Sequence, residues 1–64
     1  MEQIGQIIKK RRIELGINQQ TLADLAQVGI NTVVAIERGK GNPSVKTLQK
    51  IASVLGMELS LTSK

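Results

Sequence analysis

Apolar residues recur along most of the chain at spacings of three and four, which is the period of an α-helix. Gly16, Gly39 and Gly56 each follow such a stretch, where a helix commonly ends in a left-handed residue. The pattern therefore divides the chain into short helices. The first is predicted over about residues 3–15, and its apolar stripe consists of Ile4, Ile7, Ile8 and Leu15, with Arg12 at the edge.

A second helix is predicted over residues 19–26. Asn18 is a favourable N-cap for it, because its short side chain can accept a hydrogen bond from a free amide of the first turn. The apolar face of this short helix consists of Leu22, Ala23, Leu25 and Ala26.

Two more helices are predicted after a short break at residues 27–30. The third covers residues 31–38, with Val33 and Ile36 aligned on one face. A polar turn then leads to Ser44, which is predicted to cap a fourth helix that continues to Leu55. The apolar stripe of this helix consists of Val45, Leu48, Ile51, Ala52 and Leu55.

The hydrophobic period changes to that of a β-strand over residues 57–62, where Met57, Leu59 and Leu61 alternate with polar residues. No second strand is predicted in the chain, so we expect this strand to pair with another copy across a dimer. A frayed or helical tail that packs loosely is the alternative.

Composition narrows the range of functions. The 64 residues include no Cys, His, Phe, Trp or Tyr, which excludes a disulfide framework and an ordinary zinc site. Most of the usual general bases and nucleophiles are missing too, so we expect no enzyme, no metal and no cofactor. A net charge of +4 favours an anionic partner, either nucleic acid or an acidic protein surface. No stretch is long enough to span a membrane and no leader is recognised, which predicts a cytoplasmic, nucleoid-associated protein.

Helical-wheel geometry assigns two faces to the third helix. The inward residues are Thr32, Val33, Ile36 and Glu37, and the outward residues are Asn31, Val34, Ala35 and Arg38. In the major groove, Asn can form a bidentate contact with adenine, and small apolar side chains can pack on a thymine methyl group. The outer face is therefore predicted to read DNA. Two alternatives remain open: Asn31 caps the helix, or the apolar pair contacts a protein or is exposed by coincidence.

Three blocks of sequence carry a resemblance to a known family: Ile17-Asn18-Gln19-Gln20-Thr21-Leu22-Ala23, Thr32-Val33, and Ile36-Glu37-Arg38-Gly39-Lys40-Gly41-Asn42-Pro43-Ser44. They resemble the Cro/C1-type (XRE) helix-turn-helix domain of phage repressors, and the match covers residues 4–56. The resemblance implies an all-α, lambda-repressor-like domain of four helices. Its helix-turn-helix would span about residues 19–38, with the third helix in the major groove. The tail, residues 57–64, resembles that of HipB-type antitoxins.

The resemblance also implies roles for individual residues. Gln19 matches a glutamine that contacts a DNA phosphate, with a solvated side chain as the alternative, and Lys40 lies in a matching phosphate-contacting loop. Arg12 and Glu37 match a partly buried ion pair between the first and third helices. The full set of predicted DNA-binding residues is Asn18, Gln19, Ile30, Asn31, Thr32, Val34, Ala35, Arg38 and Lys40.

The chain departs from the family pattern at several positions. Gln27 stands where Gly is usual in the turn, and Gly29 stands where Ser or Thr commonly caps the third helix. Val34 and Ala35 replace polar residues, so thymine methyl groups or DNA shape are expected to carry more of the specificity. Three basic residues spread around the first helix and are interpreted as solvated surface rather than phosphate ligands: Lys9, Lys10 and Arg11.

The leading hypothesis is a sequence-specific transcriptional repressor that acts as a homodimer on a palindromic operator in double-stranded DNA. One short recognition helix offers too little contact by itself, and Met57, Leu59 and Leu61 are the predicted dimer contacts. The alternative is an antitoxin that binds a HipA-type toxin kinase and represses its own operon. No small-molecule effector is expected, because a chain of this length has no room for a sensor domain.

Overall fold

The computed structural model describes residues 2–58. They form four helices: α1 (Glu2–Glu14), α2 (Gln19–Ala26), α3 (Ile30–Glu37) and α4 (Val45–Val54). Each helix end lies within one residue of its predicted position, which confirms the all-helical prediction for this part of the chain. No strand occurs among residues 2–58, and none of their helices is long and apolar enough to cross a membrane.

Polar side chains cap two of the helices. Asn18 Oδ1 accepts a hydrogen bond from the Thr21 amide at 2.8 Å, at the start of α2. Ser44 Oγ accepts one from the Thr47 amide at 3.1 Å, at the start of α4. Both caps are as predicted, and each satisfies one of the amides that a helix N-terminus leaves without a partner.

The four helices end alike, with two backbone hydrogen bonds around a left-handed residue. That residue is Gly in α1, α3 and α4, but Gln27 in α2, where φ is 58°. At this end the Gln27 amide donates to the Asp24 carbonyl at 3.2 Å and the Val28 amide to the Ala23 carbonyl at 3.0 Å. A residue with a Cβ in this conformation costs about 1–2 kcal/mol, so α2 ends in the same geometry at some loss of stability.

The core lies where α2 and α3 meet the other two helices. α3 packs against both α1 and α2, and α2 also packs against α4. The buried core is entirely aliphatic and consists of Ile8, Leu22, Ala23, Ala26, Val33, Ile36, Leu48, Ile51 and Leu55. Short helices and small side chains allow this close packing without any aromatic residue.

α1 approaches α3 closely at Gly5, which is buried. A Cβ atom at this position would overlap the carbonyl oxygen of Ile36 and would lie 3.1 Å from the carbonyl carbon. The absence of a side chain at Gly5 therefore sets the distance between α1 and α3.

Four residues that were predicted to face the core are exposed instead. Their exposed fractions are 56% for Ile7, 44% for Leu15, 60% for Leu25 and 50% for Val45. Adjacent residues are about 100° apart around a helix, so a broad apolar stripe includes positions that one neighbouring helix does not cover. The predicted faces were thus correct at their centres, such as Ile8 and Leu22, and wrong at their edges.

Candidate nucleic-acid interface

The helix-turn-helix consists of α2, residues 27–29 and α3. The inner side of α3 is fixed in the core, where Val33 and Ile36 have exposed fractions of 0% and 1%. Because both residues pack against neighbouring helices, the orientation of α3 is set by the core and its opposite side faces solvent.

The outer side of α3 has two rows of residues, each one helical turn long. Ile30 and Val34 form one row, and Asn31 and Ala35 form the other. Asn31 is exposed, and Ile30 is exposed to 37%. Val34 and Ala35 are half-buried, which corrects the prediction that both are exposed.

The loop that follows α3 explains part of this burial. The Lys40 amide donates to the Ala35 carbonyl at 2.8 Å, and a Cβ on Gly41 would lie 3.5 Å from the Cβ of Ala35. The loop therefore packs along one side of α3. A cavity of about 310 Å³ lies between them, lined by Asn31, Thr32, Ala35, Ile36, Lys40, Gly41, Asn42 and Pro43.

Asn31 does not cap α3. The N-cap is Gly29, with no side-chain hydrogen bond, and Asn31 is the second residue of the helix. Thr32 is half-buried and lines the cavity. The helical wheel placed it on the inner face and the resemblance implied contact with DNA, and its position is intermediate between the two. Arg38 is exposed just beyond the end of α3.

The start of α2 lies beside the end of α3. Gln19, the first residue of α2, is half-buried, and its Nε2 donates to Glu37 Oε1 at 3.2 Å. This contact was not predicted, because neither residue indicates the other in the sequence. It orients the glutamine amide through one of its two N–H groups. The Asn18 side chain next to it is engaged in capping α2 through its oxygen.

Arg12 and Glu37 are brought together by the packing of α1 on α3. Arg12 Nε donates to Glu37 Oε2 at 2.7 Å and Nη2 donates to Oε1 at 3.1 Å, a two-point contact. Arg12 Nη1 also donates to the Ile17 carbonyl at 2.9 Å. The exposed fractions of the two side chains are only 11% and 3%. The hydrogen bond to Glu37 raises the pKa of the Arg12 guanidinium above its ordinary value, so Arg12 stays protonated.

Arg11 has a structural contact that the sequence analysis missed. Its Nε donates to the Leu55 carbonyl at 3.0 Å, at the C-terminal end of α4. A cation there offsets the partial negative charge of the helix end. Arg11 also lies 3.7 Å from Glu14 in an exposed ion pair. Arg11 is therefore partly exposed surface, but it also holds the end of α4, which the sequence analysis did not predict.

The residues after α4 correct the predicted start of the tail strand. The Met57 amide donates to the Ala52 carbonyl at 2.9 Å and thereby ends α4. The Met57 side chain is half-buried against the core of its own chain, and with Ile4, Ile7 and Leu48 it lines an apolar groove of about 160 Å³. The other predicted dimer contacts, Leu59 and Leu61, lie outside the described residues.

The chemistry of this surface is that of a binding site: an exposed amide lies among small apolar side chains. Within residues 2–58 no cluster of three acidic residues is suited to hold a metal ion. What the fold presents is a helix fixed by its inner side, with an amide and small apolar groups outside. This arrangement defines the class of DNA-binding helix-turn-helix regulators.

Comparison with known proteins assigns the family. The family model described as Helix-turn-helix matches residues 8–61. The chain belongs to this family, in its Cro/C1 (XRE) type, as the resemblance predicted. An HTH-type transcriptional regulator of Methanothermobacter thermautotrophicus is 38% identical over 52 residues, which are 81% of this chain and 75% of that protein.

Two further relatives point to the same class. The immunity repressor of Bacillus phage phi105 is 39% identical over 57 residues, covering 89% of this chain but only 40% of the repressor. The crystal structure of the restriction-modification controller protein C.AhdI from Aeromonas hydrophila superposes with a TM-score of 0.84 at 33% identity. That match covers 89% of this chain and 86% of C.AhdI. The chain thus matches most of one regulator and less than half of another.

Proposed function

We propose that this protein is a sequence-specific transcriptional repressor that places α3 in the major groove of DNA and acts as a homodimer on a palindromic operator. The observation that carries the proposal is the two-sided character of α3. Val33 and Ile36 hold the helix from within, while Asn31 is exposed on the outside between apolar side chains. The regulator and repressor names of the relatives support the same conclusion.

Two groups on either side of α3 are suited to contact the DNA backbone. The Gln19 amide is oriented by Glu37 through one N–H, and its second N–H can donate to a phosphate. Lys40 lies in the loop on the other side of α3 and carries a positive charge. Phosphate contacts on both flanks would fix the position of α3 along the groove without contributing sequence preference.

The base-contacting residues belong to α3 itself. Asn31 is the one outward side chain there able to form a bidentate contact with adenine. The remaining members of the proposed surface are Asn18, Ile30, Thr32, Val34, Ala35 and Arg38.

A dimer supplies the affinity that a single α3 lacks. Two recognition helices on a twofold axis would contact half-sites about 34 Å apart and so double the contacts to the bases. We propose Leu59 and Leu61 as dimer contacts, whereas Met57 is engaged with its own core. Nothing observed favours the antitoxin alternative or a toxin partner, so neither forms part of this proposal.

Selection of bound fragments from random duplex DNA, with the full chain, tests the proposal. We expect an enriched palindrome whose half-site centres are about 10 base pairs apart. Lys40→Ala should weaken binding to every duplex and lower the salt dependence by about one phosphate contact, whereas Lys46→Ala on α4 serves as the matched control. Failure to enrich any sequence would contradict the proposal.

Sedimentation tests the dimer contacts separately. We expect the full chain to be dimeric at micromolar concentration and a Leu59→Asp/Leu61→Asp variant to be largely monomeric with unchanged helix content. Equal dimer populations for the two proteins would assign the interface to the helices instead of to the tail.

A further inference from the structure

The outer surface of α3 has a chemical composition that limits which base pairs it can recognise. Guanine is usually recognised by Arg or Lys, and cytosine by Asp or Glu. The eight residues of α3 include no Arg, Lys or Asp. Their one acidic residue, Glu37, is turned inward and bound to Arg12. Arg38 is exposed but lies just beyond the C-terminal end of α3, away from the N-terminal half that carries Asn31. Within the eight residues of α3, no outward side chain is therefore of a type usually used to recognise either base of a G·C pair.

The groups that do face outward are suited to A·T pairs. Asn31 carries the amide that matches the major-groove edge of adenine. Beside it lies the row of Ile30 and Val34, which is aliphatic along a whole helical turn. The thymine methyl group is the one apolar feature in the major groove of unmodified DNA, and an aliphatic row one turn long can reach the methyl groups of two base pairs.

Part of this row is open to solvent, since Ile30 is exposed to 37% and Val34 is half-buried. An apolar side chain at the rim of a recognition helix gains its burial only when something covers it. The neighbouring positive charges, Arg38 and Lys40, favour an anionic polymer over an apolar protein face as the covering molecule.

We propose that the half-site contacted by α3 consists mainly of A·T pairs, and that its recognition depends on thymine methyl groups that pack against Val34 and Ile30. This inference rests on the proposed DNA-binding function. It goes further by naming the bases and the atoms that are recognised. Asn31 recognises one adenine, and the aliphatic row determines which strand carries the thymines next to it.

Deoxyuridine substitution isolates this contact, because it removes the thymine methyl group and leaves the base-pair hydrogen bonds unchanged. The selected duplex is prepared with each thymine of one half-site replaced in turn, and binding of the full chain is measured. We expect about a fourfold loss at one or two positions, which corresponds to ~0.8 kcal/mol for one methyl-sized group removed from contact. The other positions should change little.

Variants then assign the methyl groups to side chains. Val34→Ala should abolish the loss at one deoxyuridine position, and Ile30→Ala at another. Val45→Ala, an exposed valine on α4, is the matched control and should leave both losses intact. Circular dichroism establishes that each variant is folded before binding is compared.

The possible outcomes separate this inference from the function on which it rests. Selective binding that is indifferent to every deoxyuridine, or losses that persist in Val34→Ala and Ile30→Ala, would overturn the methyl contact while leaving the DNA-binding function intact. A selected half-site rich in G·C pairs would overturn the A·T assignment in the same way. No selective binding to any duplex would overturn the proposed function, and the inference with it.

Discussion

The two faces of α3 differ in how their side chains are held. On the inner face, Val33 and Ile36 are buried and Glu37 is fixed by Arg12. On the outer face, Asn31 and Ile30 are exposed to solvent. One short helix therefore has a side that stabilises the fold and a side that is available for a partner. Substitutions on the two sides should change different measured quantities, and four predictions test this division.

The largest effect is expected at the buried ion pair. Arg12→Ala and Glu37→Ala each leave one poorly compensated charge, so the free energy of unfolding should fall by about 3–5 kcal/mol. Lys10→Ala is the control, because Lys10 is an exposed basic residue on the same helix and its removal should change the free energy of unfolding by no more than about 0.5 kcal/mol. Urea denaturation followed by circular dichroism measures all three variants. Wild-type stability of both Arg12→Ala and Glu37→Ala would show that the ion pair does not stabilise the fold.

Gly5→Ala should have the next largest effect, since a Cβ there would overlap the carbonyl oxygen of Ile36. α1 must move away from α3, and overpacking of this kind costs about 1–3 kcal/mol. Gln6→Ala is the control, because Gln6 lies on the exposed side of the same helix and its substitution adds no atom between α1 and α3. Equal melting temperatures for the two variants would show that α1 and α3 tolerate a wider spacing.

On the outer face, Asn31→Ala should leave unfolding within about 0.5 kcal/mol of wild type and weaken the selected duplex by about 1–3 kcal/mol. The preference should relax at one base-pair position. Gln6→Ala, an exposed amide on α1, is the control and should change neither quantity. If affinities for selected and random duplexes fall by the same factor, Asn31 contacts the backbone and not a base.

The smallest effect is expected at Gln27, in the turn that connects α2 and α3. Gln27→Gly relieves the left-handed strain at φ 58° and should raise the free energy of unfolding by about 1 kcal/mol. Gln20→Gly, within α2, should do the opposite by about the same amount, because Gly disfavours a helix interior. Thermal melts of the two variants show whether each substitution stabilises or destabilises the protein. Destabilisation by Gln27→Gly would mean that the glutamine side chain stabilises the turn by more than its conformation costs.

The sequence predicted the helix bounds well because local chemistry determines them. Asn18 and Ser44 cap their helices through contacts three residues away, and the terminal glycines allow left-handed ends. The prediction of burial failed at Leu25 and Val45, because burial there depends on whether another helix covers the position. Periodicity identifies the centre of an apolar face, but it does not show how much of that face a packed helix will cover.

The candidate site divides in the same way. The outward direction of Asn31 followed from helix geometry alone. Arg11 and Arg12 are adjacent and chemically identical in the sequence, yet their contacts differ because Leu55 and Glu37 approach them from distant parts of the chain. The Gln19 contact with Glu37 was missed for this reason. Side-chain partners far apart in sequence are set by packing, which one sequence does not display.

The Arg12 guanidinium also has a consequence for folding kinetics. Its contact with Ile17 spans 5 residues, whereas its contacts with Glu37 span 25. Closing the longer segment costs roughly 1.4 kcal/mol more in chain entropy, so we expect the ion pair to form late in folding, after the contact with Ile17. Interactions absent from the transition state act on the rate of unfolding and not on the rate of folding. We therefore expect loss of the pair to speed unfolding more than it slows folding, and so to increase the exposure of the chain to proteolysis.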